Sequence, residues 1–253
     1  MLEYHSKGDY MYKINLTSIN MNYSDQFKSS FALVKKCEYD NNLYIYKKFS
    51  NVIYFKKIVP KFEKIFNLNS NSIILPKILV YDNTLEEYNA YLTDYCDYEN
   101  GLLLKTIDNK IERLFEIKNN IDNMHNIGII HGDLHFGNIL INKDYISSKI
   151  IDFDNCAYEK FKINKSLTND YTKEYIQKYG INKGLDIFLF NIMTYCVLNS
   201  SPYFQTRIRI NNGMYGIFNT ASGKKICDNL LLENKTFDNE YLIDTCYKYL
   251  WQK

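Results

Sequence analysis

Apolar and polar residues alternate in short runs through the first part of the chain, then recur at helical spacing. Ser30 to Cys37 (SFALVKKC) and Leu43 to Phe49 (LYIYKKF) read as two strands joined by the polar turn EYDNN. A short helix follows, with Pro60 in its first turn and Phe62, Ile65 and Phe66 on one face. Ile73 to Tyr81 and Tyr88 to Tyr95 form two more strands across the turn DNTLEE. Beyond them Ile111, Leu114, Ile117, Ile121 and Met124 mark a helix, capped by Asp108 and stopped by Gly128. A loop-rich stretch containing the short apolar runs NILI and KIID comes next. Leu185 to Leu198 is apolar on nearly every side, which predicts a helix buried within its lobe. The pattern predicts an α+β protein of two lobes: strand-rich residues 1–95 and mainly helical residues 96–253, hinged near Tyr95 to Asp97.

Composition narrows the classes. The chain has 253 residues, 46% hydrophobic and 24% charged, with 3 Pro, which is globular and not disordered. A net charge of +2 and only three arginines (Arg113, Arg207, Arg209) supply no field for a polyanion, so no nucleic-acid partner is expected. The six cysteines form no C-x-x-C pair, and the N-terminal residues lack the apolar core of a signal peptide. Leu185 to Leu198 is too short for a membrane span and contains Asp186 and Asn191. A cytoplasmic protein with reduced thiols is the expectation.

Chemistry concentrates in His131-Gly132-Asp133-Leu134-His135-Phe136-Gly137-Asn138, followed by Ile150-Ile151-Asp152-Phe153-Asp154. Asn138 lies five residues after Asp133, and Asp152 fourteen after Asn138. These two segments resemble the catalytic and metal-binding loops of the protein-kinase-like superfamily, H-x-D-L-x-x-x-N and then an apolar pair with Asp-Phe. The HGDLH form is similar to aminoglycoside, choline and lipopolysaccharide-core kinases. The resemblance implies a two-lobed kinase-like fold, with a strand-rich N-lobe and a mainly helical, trimmed C-lobe. It implies ATP and Mg²⁺ as cofactors, and a hydroxyl group on a protein or small molecule as acceptor. Asp133 would orient that hydroxyl and accept its proton, while Asn138 and Asp152 offer the hard oxygen donors that Mg²⁺ prefers.

The same resemblance assigns further roles. Lys47 would contact the α- and β-phosphates; Lys48 points to the opposite face of the strand. Ile45 shares the face of Lys47 and would line the adenine pocket. Glu63, the acid on the following helix, would fix the lysine. Thr93, Asp94, Tyr95 and Cys96 fall where the family's hinge offers backbone groups to adenine. His131 would be structural, and Asp186 would hold the catalytic loop through its backbone or simply complement its helix dipole. Glu174 stands where protein kinases end the activation segment with Ala-Pro-Glu, here Thr172-Lys173-Glu174. His125 is expected to pack or hydrogen-bond locally.

Departures from the family pattern matter too. No glycine lies between Gly8 and Gly101, so NMNYSDQFKSS stands in for the Gly-rich phosphate loop. Gly132 replaces the arginine that reads an activation-loop phosphate, and His135 replaces the catalytic-loop lysine. Asp154 replaces the glycine of Asp-Phe-Gly, giving up its φ freedom. Three functions fit: an atypical Ser/Thr-type protein kinase, a small-molecule or glycan kinase, and a nucleotide-binding pseudokinase. Retention of Lys47, Asp133, Asn138 and Asp152 favours an active enzyme.

Overall fold

The computed structural model describes residues 11–23, 26–27, 32–68, 70–105, 109–164 and 170–198. Two compact units divide the chain: Met1–Asp97 together with Asp152–Asp154, and Tyr98–Ile151 with Asn155–Lys253.

The first unit is built on a six-stranded sheet in the order β1-β5-β6-β4-β3-β2. Its strands are β1 (Tyr12–Asn15), β2 (Gln26–Phe27), β3 (Ala32–Tyr39), β4 (Asn42–Phe49), β5 (Pro76–Asp82) and β6 (Glu87–Asp94). β1 runs parallel to β5, and the remaining pairs are antiparallel. Within the stretch that stands in for a Gly-rich loop, Gln26 and Phe27 pair with Lys35 and Val34. Period-two alternation sends Tyr46, Cys37, Val80, Ala90 and Leu92 to one face, where Ile14 and Ile19 complete a buried cluster. The opposite face carries Lys47, Phe49, Leu79 and Tyr91. Helix α1 (Val52–Ile65) covers it: the Phe55 ring lies tilted 5.1 Å from Phe49, and Phe62 meets Tyr91 edge-on at 5.1 Å. Such ring pairs contribute about 0.5–1.5 kcal/mol each beyond simple burial.

α1 begins eight residues before Pro60, so the expectation that Pro60 lies in its first turn is corrected. Asn51 is the cap, its side chain accepting from the Tyr54 N–H at 2.9 Å, and this satisfies a backbone donor at the start of the helix. Pro60 sits inside the helix on the exposed side, where loss of one backbone hydrogen bond is offset by the buried apolar stripe opposite.

Cys37 is fully buried in β3, and burial pushes its thiol up to about 11. Because the folded value exceeds the ordinary 9.0, folding favours the neutral thiol; that contribution is complete below pH 9 and lost as pH rises through 11. An alkylating reagent at about pH 8 should therefore spare Cys37 in the native chain and modify it in urea, read by peptide mass spectrometry. Native labelling as fast as in urea would contradict this placement.

The second unit holds β7 (Glu99–Asn100), β8 (Ile139–Ile141) and β9 (Ser148–Ile150), an antiparallel three-stranded sheet. It also holds α2 (Lys110–Asn126), α3 (Asp170–Tyr179) and α4 (Lys183–Leu198). The expected cap Asp108 lies outside the described residues. Leu114, Ile117, Ile121 and Met124 form the buried stripe of α2, and Gly128 ends the helix at φ +86°. α4 buries Leu185, Phe188, Leu189, Phe190, Met193 and Val197, so its apolar character on all sides corresponds to burial on several sides. No helix among the described residues is long and apolar enough to cross a membrane. Residues 199–253, on which the expectation of a trimmed helical lobe rested, lie outside the described residues.

Candidate active site

In the second unit the catalytic-loop sequence is held from below by one buried carboxylate. Asp186, in the first turn of α4 and fully buried, accepts from the backbone N–H of His131 at 2.8 Å and of Gly132 at 2.7 Å. Its Oδ2 also lies 2.9 Å from His125 Nε2. Three directed bonds on a buried acid amount to more than a helix-dipole contact. His131 carries the restraint onward. Its Nδ1 accepts from the Asp133 N–H at 3.2 Å, which leaves Nε2 to donate to the Ile151 carbonyl at 2.9 Å. Ile151 in turn donates its N–H to the Asn138 carbonyl at 3.0 Å.

Asp133, His135 and Asn138 come together on this loop. Asn138 Nδ2 donates to the Asp133 carbonyl at 2.9 Å, turning the amide oxygen the other way. His135 caps the short 3₁₀ turn Phe136–Asn138, its Nδ1 accepting from the Gly137 N–H at 3.0 Å. The Nε2 side of that ring stands 4.0 Å from Asp133 Oδ2, so His135 places a polar edge beside the carboxylate where the family has a lysine. Gly132 adopts φ +74°, and a Cβ there would lie 2.2 Å from Ile163 Cδ1. Ile163 thus fills the place where an arginine side chain would emerge.

The β8–β9 hairpin, which leads from Asn138 toward Asp152, is clamped by α2. Buried Arg113 donates to the carbonyls of Asn142 and Lys143, at 2.5 and 3.0 Å. Glu116 accepts the N–H of Ser148 at 3.0 Å and its hydroxyl, and Asn120 donates to Glu116 at 2.6 Å. A scarce arginine is spent on loop carbonyls, not on phosphate.

In the first unit, β4 decides between the two lysines. Lys48 emerges on one face and pairs with Asp82 at 2.9 Å. Lys47 emerges on the α1 face, buried, 2.7 Å from Asp152 Oδ1 and 2.6 Å from Asp154 Oδ2. Burial alone would depress the Lys47 pKa; Asp152 and then Asp154 reverse this and hold it above the ordinary lysine value. Burial pushes the Asp154 carboxyl up to about 6 against the downward pull of Lys47. Asp152 itself sits at φ +68°, a left-handed conformation rare for a residue with a side chain.

Glu63 is not brought to Lys47, and that expectation is corrected. The acid lies 3.7 Å from Lys13 with its side chain 39% exposed. The reason is helical phase: the buried stripe of α1 runs through Phe55, Ile58, Phe62 and Ile65, and Glu63 falls on its far side. Lys61, within the buried stripe, donates to the Asp154 carbonyl at 2.7 Å instead. Lys61, Tyr91 and Asp154 are the residues that the sequence reading did not assign to the lysine's surroundings. A lysine at helical spacing within an apolar stripe was the available signal.

The remaining assignments fall as follows. Ile45 is half-buried on the Lys47 face and registers with Thr93 across β4 and β6. Asp94 pairs with Lys77 at 2.5 Å, and the Tyr95 N–H donates to the Leu43 carbonyl at 3.3 Å. Cys96 is half-buried and in no disulfide. Glu174 lies within α3, inside a helix and not at the end of a loop.

Of the two expected cation ligands, the Asp152 carboxylate belongs to the first unit and the Asn138 amide to the second. No group of three or more His, Cys, Asp or Glu among the described residues is arranged to hold a metal. Each of the two ligands is by chemical type a hard oxygen donor of the kind Mg²⁺ takes, the ion commonly binding one or two carboxylates and filling its shell with water and phosphate oxygens. Half-exposure of the Asp152 side chain, 37%, is compatible with such a role.

A strand-borne lysine bonded to the Asp-Phe loop, and a His-x-Asp loop hung on a helix carboxylate, are features of the kinase class of phosphotransferases. The chain belongs to the protein kinase domain family, whose model matches residues 34–249. No curated protein matches it. The α+β fold, with its strand-rich N-terminal sheet, is that of the kinase-like superfamily.

Proposed function

We propose that the chain is an ATP- and Mg²⁺-dependent phosphotransferase, moving the γ-phosphate to a hydroxyl acceptor as an atypical Ser/Thr-type protein kinase. The observation that carries this is the buried Lys47 ammonium bonded to Asp152, a residue 105 positions away in sequence. A lysine kept charged inside the sheet face is costly unless it has an anionic partner, and phosphate oxygens are the partner this family supplies. In this reading Lys47 binds the α- and β-phosphates, and Ile45 flanks the adenine. Backbone groups of Thr93, Asp94, Tyr95 and Cys96 meet the adenine edge. Asn138 and Asp152 hold the cation, which supplies charge neutralisation at the phosphates when bound. Asp133 orients the acceptor hydroxyl and takes its proton, and His135 keeps a polar group beside that carboxylate.

A small-molecule or glycan acceptor is the second reading. The packing of Ile163 against Gly132 favours it, because there is no room for the arginine through which many protein kinases read a phosphorylated activation loop. Catalysis without that switch suits either acceptor.

The test is γ-labelled ATP with purified protein, an acceptor panel of proteins and hydroxyl-bearing small molecules, and the variant Asp133→Asn. Wild type should transfer label, and the variant should lose about 10²–10⁴-fold in kcat, the usual contribution of a positioned general base. Nucleotide binding with no transfer to any acceptor, self or water would make the protein a pseudokinase.

A further inference from the structure

In kinases the phosphate-contacting lysine is fixed by an acid on the helix that follows its strand. Here that helix offers no such acid to Lys47: its one glutamate is turned away beside Lys13, and its inward position is Lys61. We infer that Asp154, the last residue of the Asp-Phe-Asp loop, is the positioning residue that holds the Lys47 ammonium, in place of a helix acid. The inference rests on the kinase reading of Lys47, and concerns which group aims it.

Asp154 is built for this task on every side. Its Oδ2 takes Lys47 Nζ at 2.6 Å, and its Oδ1 accepts the Tyr91 hydroxyl at 2.6 Å. Its backbone carbonyl accepts from Lys61 Nζ at 2.7 Å and from the Tyr54 hydroxyl at 3.2 Å. Strand β4, strand β6 and helix α1 therefore all bind this one residue. The side chain is 12% exposed, against 37% for Asp152. The two carboxylates are thus unequal: Asp152 is accessible enough to serve a cation, while Asp154 is enclosed and spoken for by Tyr91 and Lys47. When Asp152 is engaged elsewhere, Asp154 remains on the lysine. Helix α1 still takes part, with the sign reversed. Its cation Lys61 grips the backbone of the loop residue that in turn grips Lys47.

The experiment measures Lys47 directly as well as activity. Full-length wild type, Asp154→Asn, Asp154→Glu and Glu63→Ala are treated with an amine-acetylating reagent, and Lys47 modification is followed by peptide mass spectrometry. Faster labelling of Lys47 in Asp154→Asn, with the wild-type rate in Glu63→Ala, is expected. In parallel, kcat/KM for ATP should fall about 10²-fold in Asp154→Asn, mostly through KM, with partial recovery in Asp154→Glu. The Mg²⁺ concentration for half-maximal activity should stay unchanged. Three results would overturn the inference: unaltered Lys47 labelling in folded Asp154→Asn, a raised Mg²⁺ requirement without a change in labelling, which would make Asp154 a metal ligand, or faster Lys47 labelling in Glu63→Ala. If Asp154→Asn does not fold, faster labelling in Glu63→Ala, an exposed position, still overturns it, and the wild-type rate there supports it. A wild type that transfers no phosphate refutes the kinase reading, while the labelling still decides what holds Lys47.

Discussion

Truncation of Asp186 to alanine is expected to lower the unfolding free energy by about 3–5 kcal/mol, the cost of breaking a buried charged network from one side. Two backbone N–H groups, from His131 and Gly132, would lose their acceptor in a region closed to water, and His125 would lose its partner. If Asp186 merely complemented the dipole of α4, the loss would be about 0.3–1 kcal/mol. Urea denaturation separates the two values well. Since single domains have only about 5–15 kcal/mol to lose, the alanine variant should be marginal at best. Asp186→Asn keeps an acceptor oxygen in the site and should fall between alanine and wild type. An alanine variant with the wild-type urea midpoint would reduce Asp186 to the dipole role.

Restoring the arginine typical of protein kinases, Gly132→Arg, should destabilise the second unit and create no phosphate sensor. Two costs combine. The backbone is at φ +74°, a conformation that costs a residue bearing Cβ about 1–2 kcal/mol. The new Cβ would also sit 2.2 Å from Ile163 Cδ1 and 2.9 Å from its Cγ1. Ile163 is branched at Cβ and 4% exposed, so it has little freedom to swing aside, and overpacking of this kind costs about 1–3 kcal/mol. The double variant Gly132→Ala/Ile163→Ala tests the division: it relieves the overlap and leaves the φ term. Thermal unfolding of Gly132→Ala with and without Ile163→Ala reads both. A Gly132→Arg protein as stable as wild type would contradict the packing described.

Much of this architecture was legible because it depends on local period. The strands of β3 to β6 and the apolar stripe of α2 follow from alternation and helical spacing; β-strand parity puts Lys47 and Lys48 on opposite faces, and their partners Asp152 and Asp82 tell the faces apart. The start of α1 was misplaced because Pro60 is a louder signal than the cap Asn51, although proline inside a helix is tolerated when its side faces solvent. The lysine's surroundings were legible only in part. The motif marks Asp152, whereas helical phase turns Glu63 away from the stripe it follows, a signal that its place as the acid on that helix conceals. In the sequence Asp154 shows only as a lost glycine. Its partners Tyr91 and Tyr54 are 63 and 100 residues away in sequence, and no local pattern announces a meeting of that kind.

The parallel pairing of β1 with β5 has a practical consequence for anyone cutting the gene. The family match begins at residue 34, so β1 and β2 both precede it. A fragment trimmed to that boundary would strip Ile14 and Ile19 from the buried cluster and leave β5 as an open sheet border, with its N–H and C=O groups ready to pair with another chain. The segment ahead of the matched residues thus covers the β5 edge and completes the buried cluster.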